Sequence, residues 1–256
     1  MAEARKLGVV IPALNEEAAL SAVLAELLEA TRGLQESDAV SAARIVVVDN
    51  GSTDRTADVA REGGATVVSE PRRGYGQACL AGLAWQREAG MRPDDLIVFL
   101  DADHSDYPAD LAALLAPLLA GTADFVIGSR VLGGATMEAL LPQAWFGNRL
   151  CCFLMSTLFR AKFTDLGPFR ALTWAAFEHL QVADTNFGWT IEMQLKAHRA
   201  RLRVTEVPVR YRARIGTSKI TGTLRGTIGA GTKILSWIFG WRLKTWLTRG
   251  GIPRYR

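Results

Sequence analysis

The sequence of 256 residues predicts an α/β fold: a mostly parallel sheet with helices on both faces. Two observations predict it. Short apolar runs rich in Val and Ile alternate four times with stretches of helical periodicity, and 49% of the residues are apolar, enough to bury one large core. A third observation concerns function, because acidic motifs end three of those runs, at the edge where such sheets bind ligands.

The first run, residues 7–12 (LGVVIP), reads as a short buried strand. A helix follows from about Glu16 to Thr31, with Leu20, Val23, Leu24, Leu27 and Leu28 at helical spacing and Gly33 as its stop. The second strand, RIVVVDN, enters the loop Gly51-Ser52-Thr53, where Thr53 or Asp54 can cap the next helix. Residues 65–69 form a weaker third strand, and a helix after Gly76 runs to about Glu88. The fourth strand, DLIVFLD at 95–101, is the strongest. Beyond Leu132 the pattern becomes irregular, with an apolar stretch from Phe146 to Phe159 and a helix from Thr190 to Ala200. No internal repeat interrupts this order. The division expected is one domain over residues 1–220 and a basic amphipathic C-terminal helix over 221–256.

Cys79, Cys151 and Cys152 form no spaced framework, so they read as apolar filler in a reducing compartment. His104, His179 and His198 lack the paired spacing of a zinc site. Pro12 and Asn15 break the N-terminal apolar run, and no segment reaches the roughly 18 uncharged apolar residues that span a bilayer. The expected location is cytoplasmic, free or at the cytoplasmic face of a membrane. The net charge of +4 hides an asymmetry: from Arg201 onward 13 Lys or Arg face the single acid Glu206. Such a tail points to a polyanionic partner.

An Asp-x-Asp at a strand end, here Asp101-Ala102-Asp103, offers hard oxygen ligands to a divalent cation. That ion suits a nucleotide diphosphate, whose leaving charge it stabilises. The sequence has no glycine loop ending in Gly-Lys-Ser or Gly-Lys-Thr, and PALNEE follows the first strand instead of G-x-G-x-x-G. Both omissions argue against an NTPase and a standard dinucleotide fold. Gly74 and Gly76, after Arg72 and Arg73, could let backbone approach a ligand.

The series VIPALNEE, VVVDNGSTDRT, FLDADHSDYP and FVIGSR, in that order, resembles the family 2 inverting glycosyltransferases with the GT-A fold. DLGPFRA, FGWTIEMQLKA and VPVRYRARIGTSKITG resemble the branch that uses polyprenyl phosphates, the dolichol-phosphate mannosyltransferase-like enzymes. The resemblance implies that Pro12, Leu14, Glu16 and Asp49 surround the base and ribose. It implies that Asp101, Ala102 and Asp103 contact ribose and diphosphate, with Asp103, supported by Asp101, binding Mg2+ or Mn2+. It also implies that Arg130, Arg214, Ser218 and Lys219 meet donor or acceptor phosphate. Three positions depart from the pattern: Leu14 replaces an aromatic residue, Asn50 an Asp, and Ser105 a metal-binding Gln.

The expected activity is transfer of a hexose, with inversion, from a UDP- or GDP-sugar to a polyprenyl phosphate. A phosphate acceptor carries its own charge and needs cations more than a base. A hydroxyl acceptor, the alternative, needs a carboxylate base, for which Asp165 and Glu192 are candidates. Their other reading is a helix cap or an ion pair with Arg170 or Lys196. A nucleotide- or membrane-binding protein without catalysis is the remaining alternative. Residues 224–247 place Leu224, Ile228, Leu235, Ile238 and Phe239 near one helical face among Lys233, Arg242, Lys244 and three tryptophans. That composition suits a helix at a membrane surface, the alternatives being docking on the protein body or on a twin subunit in a homodimer. No nucleic-acid module accompanies it.

Overall fold

A computed structural model describes residues 4–136, 142–216, 231–232, 235–241 and 254–255. The first strand, β1 (Lys6–Ala13), leads into α1 (Glu17–Glu36). Next come β2 (Ala42–Asp49), α2 (Thr56–Glu62), β3 (Thr66–Ser69), α3 (Tyr75–Glu88) and β4 (Leu96–Phe99). After a 3-10 turn, α4 (Leu111–Leu119) and β5 (Phe125–Ser129) precede α5 (Pro142–Phe159). The order closes with β6 (Arg170–Thr173), α6 (Trp174–Leu180), α7 (Trp189–Ala200) and β7 (Val204–Pro208).

The seven strands lie in the order β3-β2-β1-β4-β6-β5-β7, and all are parallel except β6, which runs against both neighbours. The chain leaves β1 for β2 and β3 on one side, then returns to place β4 on the other. The carboxyl ends of β1 and β4 therefore flank the point where strand order reverses, the natural ligand crevice of an open α/β sheet.

Alternation along the strands divides the core. Leu7, Val9 and Ile11 face Leu20, Leu24 and Leu27 of α1 and Leu111, Leu114 and Leu118 of α4. Val10, Val48, Ile97 and Phe99 face Cys79 and Leu83 of α3, with Phe177 of α6 and Trp189 of α7. Phe99 meets Trp189 edge to face, 5.7 Å between ring centroids, a favoured aromatic geometry. A third cluster joins Cys152 and Met155 of α5 to Ile191 and Leu195 of α7 and to Ile238.

Several boundaries differ from expectation. Gly33 does not stop α1, which continues to Glu36, because the extra turn buries Leu34 against the first core layer. That burial outweighs the roughly 1 kcal/mol that an interior glycine costs. Neither Thr53 nor Asp54 occupies the cap position of α2, which is Arg55, although Asp54 Oδ1 accepts Thr56 N at 3.0 Å. The apolar stretch at 146–159 is most of α5. Of the apolar face expected near the C-terminus, Ile238 is fully buried and Phe239 is 54% exposed. Leu224 and Ile228 lie outside the described residues. All three cysteines are buried and free, and no described helix is long and apolar enough to cross a membrane.

Candidate functional site

The crevice at the carboxyl ends of β1 and β4 is a cavity of about 390 Å³, large enough for a small-molecule ligand. Pro12, Ala13, Leu14 and Glu16 line it from the end of β1, and Asp101, Ala102 and Asp103 from the end of β4. Asn50, Arg73, Gly74, Tyr75, Ala78, Asn186, Phe187 and Arg214 complete its wall. Six of the residues expected to meet the donor from the first and fourth strand ends thus converge here. Asp49 does not line the cavity; its Oδ1 accepts Ser52 N at 2.9 Å and so shapes the loop behind it.

The two aspartates of the Asp-x-Asp are held differently. Ser105 donates both its backbone N–H and its hydroxyl to Asp103 Oδ1, at 2.9 and 2.5 Å. The other oxygen, Oδ2, faces Arg214 Nη1 at 3.0 Å. The serine at the position of a metal-binding Gln is thus committed to orienting Asp103. Asp101 Oδ1 accepts the Tyr75 hydroxyl at 3.0 Å. Burial, reinforced by the Asp103 charge, pushes the Asp101 carboxyl up to about 7.

Arg214 bridges two acids from different strand ends, with Nη2 on Glu16 Oε1 at 2.8 Å after β1 and Nη1 on Asp103 after β4. It is placed by a backbone ladder: Arg212 N donates to Ser105 O at 3.0 Å and Ile215 N to Asp103 O at 2.9 Å. Ser218 and Lys219 of the same motif lie outside the described residues.

Asn50 organises the facing wall. Its Nδ2 donates to Glu70 O and Arg72 O, both at 2.8 Å, and its Oδ1 accepts Gly74 N at 2.8 Å. An aspartate could make only the last of these bonds. The chain then enters α3 beneath the loop 184–185, where glycine is required twice. A Cβ on Gly74, at φ 148°, would lie 2.2 Å from Thr185 O, and one on Gly76 would lie 2.0 Å from Asp184 O.

The remaining expected residues are engaged elsewhere. Arg130 gives its backbone N–H, Nε and Nη2 to the buried Asp165 carboxylate at 2.7–2.8 Å and stacks over Tyr211. Burial opposes the Arg130 charge, but Asp165 more than restores it and its pKa is raised. Glu192 Oε2 accepts Ala183 N and Asp184 N, at 3.0 and 2.6 Å, and its Oε1 pairs with Lys196 at 2.8 Å. Neither Asp165 nor Glu192 lines the cavity. Arg170, a partner considered for Asp165, instead donates to the carbonyls of Leu166, Gly167 and Thr190.

Sequence reasoning passed over Tyr75, Asn186, Phe187 and Asp106. Asp106 is 2% exposed, and neither of its oxygens has a hydrogen-bond partner. Burial first, and then the charges of Asp101 and Asp103, push its carboxyl well up. Its place three residues after the Asp-x-Asp was the only available signal.

Among the described residues no three His, Cys, Asp or Glu side chains converge to hold a metal unaided. The donor set nevertheless fits a hard cation. Asp101 and Asp103 supply carboxylates, and such ions usually take the rest of their shell from substrate phosphates and water.

The chain is similar to known proteins of one family and fold. The sequence pattern of Glycosyl transferase family 2 matches residues 8–167. An uncharacterised glycosyltransferase of Mycobacterium bovis is 38% identical over 224 residues, covering 86% of this chain and 92% of that protein. A dolichyl-phosphate hexose transferase of Haloferax volcanii is 32% identical over 84% of this chain and 86% of its own. Among solved structures, glucosyl-3-phosphoglycerate synthase of Mycobacterium tuberculosis, in complex with Mn2+ and UDP-glucose, superposes with a TM-score of 0.62. It is 25% identical, over 93% of this chain and 79% of that one.

Proposed function

This chain belongs to glycosyl transferase family 2 and is a glycosyltransferase with a GT-A fold; from that premise we propose that it moves a hexose, with inversion, from a UDP- or GDP-sugar to a polyprenyl phosphate. The observation that carries the acceptor class is the state of the two candidate bases. Asp165 is tied to Arg130 and Glu192 to backbone and Lys196, and both are absent from the cavity wall. An acceptor that brings its own negative charge needs neither. The similarity to a dolichyl-phosphate hexose transferase supports the same class.

In this reading Leu14 and Pro12 form the apolar floor for the base. Arg73 and Arg214 approach the phosphates, Arg214 exchanging part of its contact with Glu16 and Asp103 for diphosphate oxygens. Asp101 and Asp103 hold a divalent cation, Mg2+ or Mn2+, which supplies charge neutralisation to the departing diphosphate. Ser105 keeps Asp103 aimed, and Ser218 and Lys219 extend the cationic side toward the acceptor. Attack comes from the face of the sugar opposite the diphosphate, so the protein's work is mainly orientation.

A lipid acceptor requires a route to the membrane. One face of α5 exposes Phe146 and Phe153, each 63% accessible, with Arg149 between them and Arg160 beyond. Aromatic rings and arginines on one exposed helix face suit the headgroup layer, and Phe239 adds to them. The test is a turnover assay with UDP- and GDP-hexoses and Mn2+. Its acceptor arms are undecaprenyl phosphate and 3-phosphoglycerate, a phosphorylated acceptor that offers a hydroxyl. Product is expected only with the lipid phosphate and is lost in Asp103→Ala; product only with the hydroxyl acceptor would overturn the proposal.

A further inference from the structure

The cavity wall at Asn186 and Phe187 is not held by the sheet. It sits on a short loop between α6 and α7, and the second half of that loop is tied by Asp184. Its Oδ1 accepts Asn186 N at 2.8 Å and Gly188 N at 3.0 Å. Its backbone N–H is fixed by Glu192, and the next carbonyl, Thr185 O, accepts Gln77 N of α3 at 2.8 Å. The remaining oxygen, Asp184 Oδ2, accepts the indole N–H of Trp237 at 2.9 Å.

Trp237 comes from the helical residues 235–241, distant in sequence from every strand. Its ring stacks on Trp241 with centroids 4.9 Å apart, and the adjacent Ile238 is fully buried against Cys152, Met155, Ile191 and Leu195. The indole is also pressed against the loop. A Cβ on Gly188 would lie 2.6 Å from Trp237 Cδ1 and 2.5 Å from Asp184 Oδ2. Asp184 is 9% exposed, so little water competes for the oxygen that the indole occupies. A charge-assisted hydrogen bond in such a place is stronger than a neutral one at the surface.

We infer that Trp237 is a positioning residue for the donor cavity: through Asp184 it fixes the loop that presents Asn186 and Phe187, making the C-terminal helical segment part of the site. The inference rests on reading the cavity as the nucleotide-sugar site. It also gives the segment a role apart from any contact with lipid.

The experiment is a double-mutant cycle of Trp237→Phe and Asp184→Asn, read by calorimetric titration of UDP or GDP with Mn2+. Phenylalanine keeps a ring on Trp241 and removes the donor together with the pyrrole part of the indole, so the cycle, and not the single variant, isolates the hydrogen bond. Nucleotide affinity is expected to fall on the order of tenfold, with donor KM raised and the rate at saturating donor retained. In Asp184→Asn the amide keeps Oδ1 for the two backbone N–H groups and sets its own N–H against the indole N–H. The double variant, freed of that opposition, is expected to bind nucleotide better than Asp184→Asn alone. A purely packing role for Trp237 would not produce that rescue. Equal affinity in wild type and Trp237→Phe, or additive losses in the cycle, would overturn the inference. Should the wild type bind neither nucleotide, the donor-site reading fails. Hydrogen exchange at Asn186 and Gly188 then judges the latch by itself: faster exchange in Trp237→Phe supports it and unchanged exchange overturns it.

Discussion

Replacing Asn50 by aspartate restores the residue that the family pattern favours at this position, yet the structure predicts damage. Asn50 is 5% exposed and uses both amide hydrogens on Glu70 O and Arg72 O while accepting Gly74 N. Aspartate keeps the last bond and turns an oxygen toward two carbonyls. Two lost donors cost about 1 kcal/mol each, and the desolvated, mutually repelling oxygens add about 1 kcal/mol more, so we expect roughly 3 kcal/mol. For a chain of this length that lowers Tm by about 6–12 °C. The sign with pH follows from the same contacts. Burial and the carbonyls raise the pKa of the new carboxyl, so at low pH it is protonated and regains one donor. The deficit should therefore be smallest near pH 5 and grow as pH rises. Thermal denaturation of wild type, Asn50→Asp and Asn50→Ala from pH 5 to 8 checks this, with alanine lacking the pH dependence. An Asn50→Asp protein that melts within 2 °C of wild type at pH 8, or whose deficit shrinks with pH, would refute the reasoning.

Asp101 gives a second pH signature. Its carboxyl is pushed up from 3.8 to about 7, so without metal the folded protein holds a proton that the unfolded chain releases near pH 4. Metal-free stability should decline as pH rises across that window, and Asp101→Asn should flatten the decline. Because a cation must displace the proton, affinity for Mn2+ with UDP or GDP should rise about tenfold from pH 6 to 8, measurable by calorimetry with proton release in two buffers. Asp165→Asn should strand the Arg130 guanidinium, whose side chain is 13% exposed. Breaking a buried pair costs about 3–5 kcal/mol, so Tm should fall by roughly 10 °C or more whether or not ligand is present.

The half of the fold that builds the crevice was legible because β1, β2 and β4 are long or strongly apolar runs separated by amphipathic helices. Of the second half, α7, expected from Thr190 to Ala200, was legible, and the strands were not. β6 is only four residues, RALT, and it begins with an arginine that is fully buried because three carbonyls satisfy it. No hydropathy rule anticipates that. The Asp-x-Asp announced itself by its position at a strand end, whereas the fates of Asp165 and Glu192 depended on partners that sequence cannot rank. Arg130 lies 35 residues from Asp165, and the backbone groups that Glu192 holds carry no side-chain signal at all. The pairing of Glu16 with Arg214 spans 198 residues and becomes visible only once the sheet has brought the two ends together.

The single reversed strand has an evolutionary consequence. β1, β4 and β5 deliver their chain to the ligand edge as they leave the sheet, whereas β6 receives its chain there as it enters. The ligand edge of the sheet is therefore written partly in segments that follow strands, which line the crevice, and partly in the segment around Asp165 and Gly167, which precedes one and lies outside the cavity wall. Changes in length or composition in the two groups need not disturb each other's register. A lineage built on this plan can lengthen or recompose one group of segments while the sheet keeps the other in place.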